Sequence, residues 1–245
     1  MSVAIPLHRV TPPSGNELVA PDDGLSFLKA GRILSQFQGG PEFPFLFAIS
    51  GTPDPFGLYL DAACAKRGKE ARANFLGFGT LAQFLASDVH SETPEAFLLF
   101  PWDFTPEADW RTGIPDRRVD LVQAILRAEG VASALAKRGG ARLLYCSAPI
   151  PPIVGYDAGD ASLRRGLESV ALGLGATIVP GEAFSLSSYF ATGCPVGGAW
   201  LGKVAEMAVS ALTADSREAK KVLVTDLDDT VWDEDAKPSK HPLIK

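Results

Sequence analysis

The sequence predicts an α/β fold: one doubly wound parallel sheet with helices on both faces. Three observations carry this expectation. Short apolar runs recur along the chain, each of a length that suits a strand buried on both faces. Longer stretches between them carry apolar residues at helical spacing. Strand followed by helix, repeated, places successive strands parallel and joins them by right-handed crossovers.

Taken in order, residues 1–23 are rich in Pro, Ser and Asp and read as an extended leader. Residues 24–38 place Leu25, Phe27, Leu28, Ala30, Ile33, Leu34 and Phe37 on a helical stripe, which Gly39 and Gly40 end. A turn is expected over 41–44, then a buried strand over 45–49 and a loop from Ser50 to Pro55. A helix follows over 57–67, a strand over 72–76 and a short helix reaching Leu85. The run 96–101 is the most apolar strand, with Trp102 and Asp103 just beyond it. A long helix over 116–138 stops at Gly139 and Gly140. A strand over 141–147, a Pro-rich loop, a helix over 161–174, a strand over 176–179 and a helix over 199–212 complete the alternation. The polar residues 213–219 read as a linker. The expected organisation is therefore a leader (1–23), an α/β domain (24–212), and a linker with the opening strand of a second domain (213–245).

Composition bounds the class. With 245 residues, 46% of them hydrophobic and 21% charged, the chain can bury one sizeable core. A net charge of −6 argues against nucleic acid as a partner. No apolar run is long enough for a transmembrane helix. The first ten residues lack a basic region followed by an apolar core, so no signal peptide is read. Cys64, Cys146 and Cys194 are odd in number and show no metal-type spacing. They fit reduced, buried thiols in a cytoplasmic protein.

The stretch with the most chemistry is Lys220-Lys221-Val222-Leu223-Val224-Thr225-Asp226-Leu227-Asp228-Asp229-Thr230-Val231-Trp232. Val222 to Thr225 read as a buried strand, and Asp226 falls at its carboxyl end, where open α/β sheets place ligands. Asp226 and Asp228 alternate with Leu227, so an extended backbone turns both carboxylates one way. Adjacent carboxylates repel, and a hard cation such as Mg2+ relieves that repulsion. This stretch resembles motif I of the haloacid dehalogenase (HAD) superfamily, and most closely its FkbH-like branch. The resemblance implies that Asp226 is a nucleophile forming an aspartyl phosphate and Asp228 a general acid/base, with both at a Mg2+ site. HAD domains also need a later Ser/Thr, a Lys and further acids. Residues 233–245 form a Pro-broken polar tail that does not supply them. The expectation is thus the front part of a longer protein or a shortened gene product, inactive by itself.

Residues 24–212 resemble the SGNH-hydrolase-like module that precedes the HAD domain in FkbH-like proteins, an SGNH/flavodoxin-like fold. That resemblance places Ser50, after the first strand, where SGNH esterases carry the nucleophile. The surrounding motif departs from the family: Ile49-Ser50-Gly51-Thr52 has no Asp before the Ser. Asn74 falls in the second strand rather than in a later loop. His8, His90 and His241 all lie outside the late segment 187–198, where the family places its base, and Cys194 and Pro195 stand there instead. A Ser hydroxyl without a base is a poor nucleophile, so no esterase turnover is expected.

Asp103 and Asp109 flank Trp102 and Trp110 beyond the third strand, which fits either a solvated loop pinned by two Trp or an acidic, aromatic rim for a sugar or acyl group. Ser50 and Gly51 could offer loop amides to an anion. Gly77 and Gly79 lack the rest of a dinucleotide fingerprint. By resemblance, the whole protein would act on a phosphorylated small molecule and load glyceryl units onto an acyl carrier protein. The competing expectations are a non-catalytic module that binds such a carrier, and an esterase built on Ser50.

Overall fold

The structure is a computed structural model that describes residues 24–77, 79–87, 92–105, 109, 111, 120–138, 141–149 and 158–214. Contacts divide the chain into a unit Met1–Thr213 and a unit Ala214–Lys245. Asp226, Asp228, the three histidines and Trp110 lie outside the described residues.

The first unit is an α/β sandwich. Helix α1 (Phe27–Gln36) begins where the Ser26 hydroxyl accepts the Lys29 N–H at 3.3 Å; Ala30 is buried and Ile33 and Leu34 pack partly, whereas Phe27 and Leu28 of the expected stripe are exposed. Then follow β1 (Glu42–Ile49), α2 (Gly57–Ala65), β2 (Glu70–Phe75), α3 (Leu81–Ala86) and β3 (Glu95–Leu99). The chain continues through α4 (Leu121–Lys137), β4 (Ala141–Cys146), α5 (Ala158–Gly173), β5 (Thr177–Val179), α6 (Leu186–Thr192) and α7 (Gly198–Thr213). Short 3-10 turns follow β1, β3 and β5 at Asp54–Phe56, Pro101–Asp103 and Gly181–Ala183.

The five strands form one all-parallel sheet in the order β2-β1-β3-β4-β5. Residues of β1, β3 and β4 alternate between two cores, as the pleat requires. Phe45, Phe47, Ile49, Leu98, Leu144 and Cys146 pack with α1, α2 and α7. Ala48, Phe97, Leu99 and Tyr145 pack with α3, α4 and α5. Helices therefore cover both faces, as the alternation in the sequence predicts.

Two boundaries differ from expectation for identifiable reasons. Residues 41–44 are not a turn: β1 starts at Glu42 and runs through Pro44. Leu46 donates its N–H to Pro94 O at 2.9 Å, toward the β3 side. The nitrogen of Pro44, two residues earlier, turns the same way, where β3 has not yet begun, since Glu95 pairs with Leu46. The proline therefore removes no ladder bond. The strand expected over 96–101 ends at Leu99, because Pro101 opens a 3-10 turn whose start is held by Asp103. The Asp103 carboxylate accepts the Phe100 N–H at 2.7 Å. The late segment also contains a helix, α6, capped by Ser185 and closed by Gly193 in the left-handed region at φ 74°.

Candidate functional site

Strand order creates the site. After β1 the chain moves to one side to form β2, then crosses back to form β3 on the other side. The carboxyl ends of β1 and β3 therefore flank a topological switch point, where open α/β sheets form their crevice. Ser50 follows the last residue of β1, and Asp103 lies four residues past the end of β3. The Ser50 hydroxyl is near enough to Asp103 to favour its charged form.

Asp103 keeps some exposed surface, but its carboxyl is enclosed by protein. Burial disfavours its charge and pushes its pKa up to about 6, against the opposing pull of the Ser50 hydroxyl, the Phe100 N–H bond and the Arg111 charge. Asp109 adds a smaller upward push through like charge.

Arg111 completes the network. Its Nε and Nη2 grip the two Asp109 oxygens at 2.8 and 2.7 Å, a two-pronged pair. Its Nη1 donates to Ser50 Oγ at 2.8 Å and to Ser50 O at 2.7 Å. The guanidinium lies 5.3 Å from the centre of the Trp102 ring. Burial pulls the Arg111 pKa down, but Asp109 and Asp103 outweigh it and the net shift is upward. Asp109 is only 8% exposed, so this acid is not solvated. The acids face inward, onto a cation.

The floor is shaped by the late segment. Thr52 N–H donates to Gly193 O at 2.9 Å. A Cβ on Gly51 would fall 2.5 Å from Pro195 Cδ, and one on Gly193 2.2 Å from Thr52 Oγ1. Gly193, Cys194 and Pro195 thus come against the Ser50 loop. Cys194 itself is buried, and burial raises its thiol to about 11. Burial likewise raises Cys64 to about 11 and Cys146 to about 12, so all three thiols behave as small apolar groups.

Two further groups stand at the carboxyl end of β4. Ser147 donates to Glu168 Oε2 of α5 at 2.6 Å. The Tyr145 hydroxyl is buried without a hydrogen-bond partner among the described residues, and the charges of Asp103 and Glu168 both act on it. Asn74 stands on β2, exposed and away from the switch point. Among the described residues no group of three or more His, Cys, Asp and Glu could hold a metal ion. No helix among them is long and apolar enough to cross a membrane.

Sequence reasoning singled out Ser50 and Asp103 separately but did not join them, and it missed Arg111, Tyr145 and the Ser147–Glu168 pair. The signal for Asp103 was its place just past an apolar strand. Arg111 carried no signal.

No family model matches the sequence, and no curated protein matches it. Among solved structures, the fold is similar to that of the N-terminal part of the protein BF1531 from Bacteroides fragilis, which contains a phosphatase domain and is complexed with Mg. That likeness has a TM-score of 0.55 at 11% identity, over 76% of this chain and 55% of that chain. The chain thus spans 55% of the length of the BF1531 structure. An acetyl xylan esterase, AlAXEase, is matched with a TM-score of 0.40 at 13% identity, over 69% of this chain and 100% of that one. At these identities the first likeness shows the doubly wound fold.

Proposed function

We infer that the chain is the N-terminal part of an FkbH-like phosphatase or phosphotransferase of the HAD superfamily. Residues 24–212 form its α/β domain, and residues 222–228 open the phosphoryl-transfer domain. The observation that carries this is a conjunction. The motif-like stretch from Lys220 to Trp232 follows an α/β unit, and the BF1531 part with the similar fold contains a phosphatase domain.

Asp226 would attack phosphorus and hold the phosphoryl group as an acyl phosphate. Asp228 would protonate the leaving oxygen and then take a proton from the incoming water. Mg2+ held by these two carboxylates would neutralise charge on the phosphoryl oxygens. The substrate is a phosphorylated three-carbon unit or a similar phosphoester; its phosphoryl group goes to water, and its glyceryl unit is loaded onto an acyl carrier protein.

The test begins with the reading frame beyond Lys245. A Ser/Thr, a Lys and a late acidic pair there are required. Phosphate release from acetyl phosphate with Mg2+ is then measured for that longer product and for residues 1–245. Release by the longer product, lost in Asp226→Asn, and none by residues 1–245, is expected. Release that survives Asp226→Asn overturns the assignment.

A further inference from the structure

The two edges of the sheet differ. β5 offers only three residues, Thr177–Val179. β2 offers six, Glu70–Phe75, in unbroken register with β1 on one side and, among the described residues, with no strand on the other. We propose that the open side of β2 seats a second copy of this chain, whose own β2 runs antiparallel to it about a two-fold axis at Ala73. Two five-stranded sheets then become one. The contact is independent of the phosphoryl chemistry of Asp226.

Backbone direction selects the bonding residues. Glu70 donates its N–H to Pro41 O at 3.0 Å, toward β1. Successive residues of a strand turn their N–H and C=O groups to opposite sides, so Arg72 and Asn74 also face β1. Ala71, Ala73 and Phe75 present both groups to the open side. Such groups are a template for another strand, and proteins block them with proline, bulges or charged residues, lysine above all. β2 has neither Pro nor Lys, and its pairing with β1 contains no bulge. Its one cation, Arg72, is held within the chain, 2.8 Å from both Glu42 and Glu70, so a second copy meets a neutralised charge.

Side chains select the occupant and the register. With the axis at Ala73, that residue faces its own counterpart, and Ala71 faces Phe75 of the second copy. All three outward residues then bond, each facing pair exchanging both its bonds. Ala71, Ala73 and Phe75 share one face of the strand. The small Ala71 therefore lies opposite the large Phe75, which is 38% exposed in the single chain. The symmetry repeats this fit on the other side of the axis, as an isologous contact requires. On the opposite face Arg72 lies against Asn74, and no like charges meet. An axis at Arg72 sets two guanidiniums face to face. An axis at Ala71 calls on the Lys69 N–H, already given to Cys64 O at 3.1 Å. An axis at Asn74 runs the pairing past the end of β2.

Sedimentation of the purified 245-residue chain from about 5 to 500 µM tests the partner. A reversible rise to twice the chain mass is expected, and a monomer throughout overturns the proposal. Ala73→Pro removes the donor at the axis, and its ring points off the edge, where strands accept proline, so the fold should hold. Phe75→Glu, at an exposed position, is the second variant, and circular dichroism checks that each folds. Either should weaken the dimer at least about tenfold. Unchanged association of either folded variant overturns the proposal. Disulfide trapping reads the register, because facing Arg72 and Asn74 form the closely spaced kind of antiparallel pair. An equal mixture of Arg72→Cys and Asn74→Cys chains should cross-link to a heterodimer on mild oxidation, and neither chain should do so alone. The three native thiols are buried and stay out of the reaction. No cross-link in the mixture, or one formed as fast by a single variant, overturns the axis at Ala73.

Discussion

Glu95 and Arg138 form a two-pronged ion pair, 2.7 and 3.1 Å long, between the start of β3 and the end of α4. Both residues are almost wholly buried, at 1% and 5% exposure. The guanidinium also lies 4.0 Å from the centre of the Phe84 ring and bonds the Ser87 carbonyl at 3.4 Å. One pair therefore ties α3, β3 and α4 together at the amino end of the central strand, opposite the carboxyl ends that carry the candidate site.

Removing one partner leaves the other charge buried and uncompensated, which costs about 3–5 kcal/mol. Arg138→Met is expected to lower unfolding free energy by that amount. Replacing both, as Glu95→Met with Arg138→Met, should recover most of the loss, because neither charge then needs water. Denaturant unfolding of the three variants checks this. A double variant no better than the single would show that the pair does more than neutralise itself.

Gly193 carries two demands at once. It closes α6 in the left-handed region, and its Cα hydrogen faces Thr52 at a distance no Cβ could occupy. Gly193→Ala should destabilise the fold by about 1–3 kcal/mol. Thr52→Ser removes the methyl but keeps the hydroxyl, and the hydroxyl oxygen is the atom 2.2 Å from the added Cβ. Thr52→Gly in the same chain, which also removes the Cβ 3.1 Å away, should relieve the clash and leave the backbone strain alone. Melting temperatures of Gly193→Ala with and without Thr52→Gly separate the two causes.

Asp103 gives stability a sign with pH. Its pKa stands at about 6 in the fold against a reference of 3.8. The fold therefore holds the proton that the unfolded chain has already released. Stability from this group is full below about pH 4 and is lost as pH rises toward 6. Asp103→Asn carries no such loss. Its stability relative to wild type should increase from pH 4 to 6.5 by on the order of 2 kcal/mol. Urea unfolding at several pH values measures it, and a difference that stays flat with pH would contradict the buried, raised carboxyl.

By itself the sequence determined the fold class, most of its elements and the position of Ser50. The periods of 2 and 3.6 are local properties, and buried parallel strands announce themselves as continuous apolar runs such as 96–99. Strand edges were less legible where a proline lay at a level with no partner strand, as at Pro44. The tertiary structure alone decided what Ser50 touches. Asp103 is 53 residues away and Arg111 is 61 away in sequence. They meet Ser50 because the order β2-β1-β3 sets the end of β3 against the end of β1. Nothing in a local pattern states that order, and the raised carboxyl of Asp103 follows from enclosure by residues that only the assembled sheet brings together.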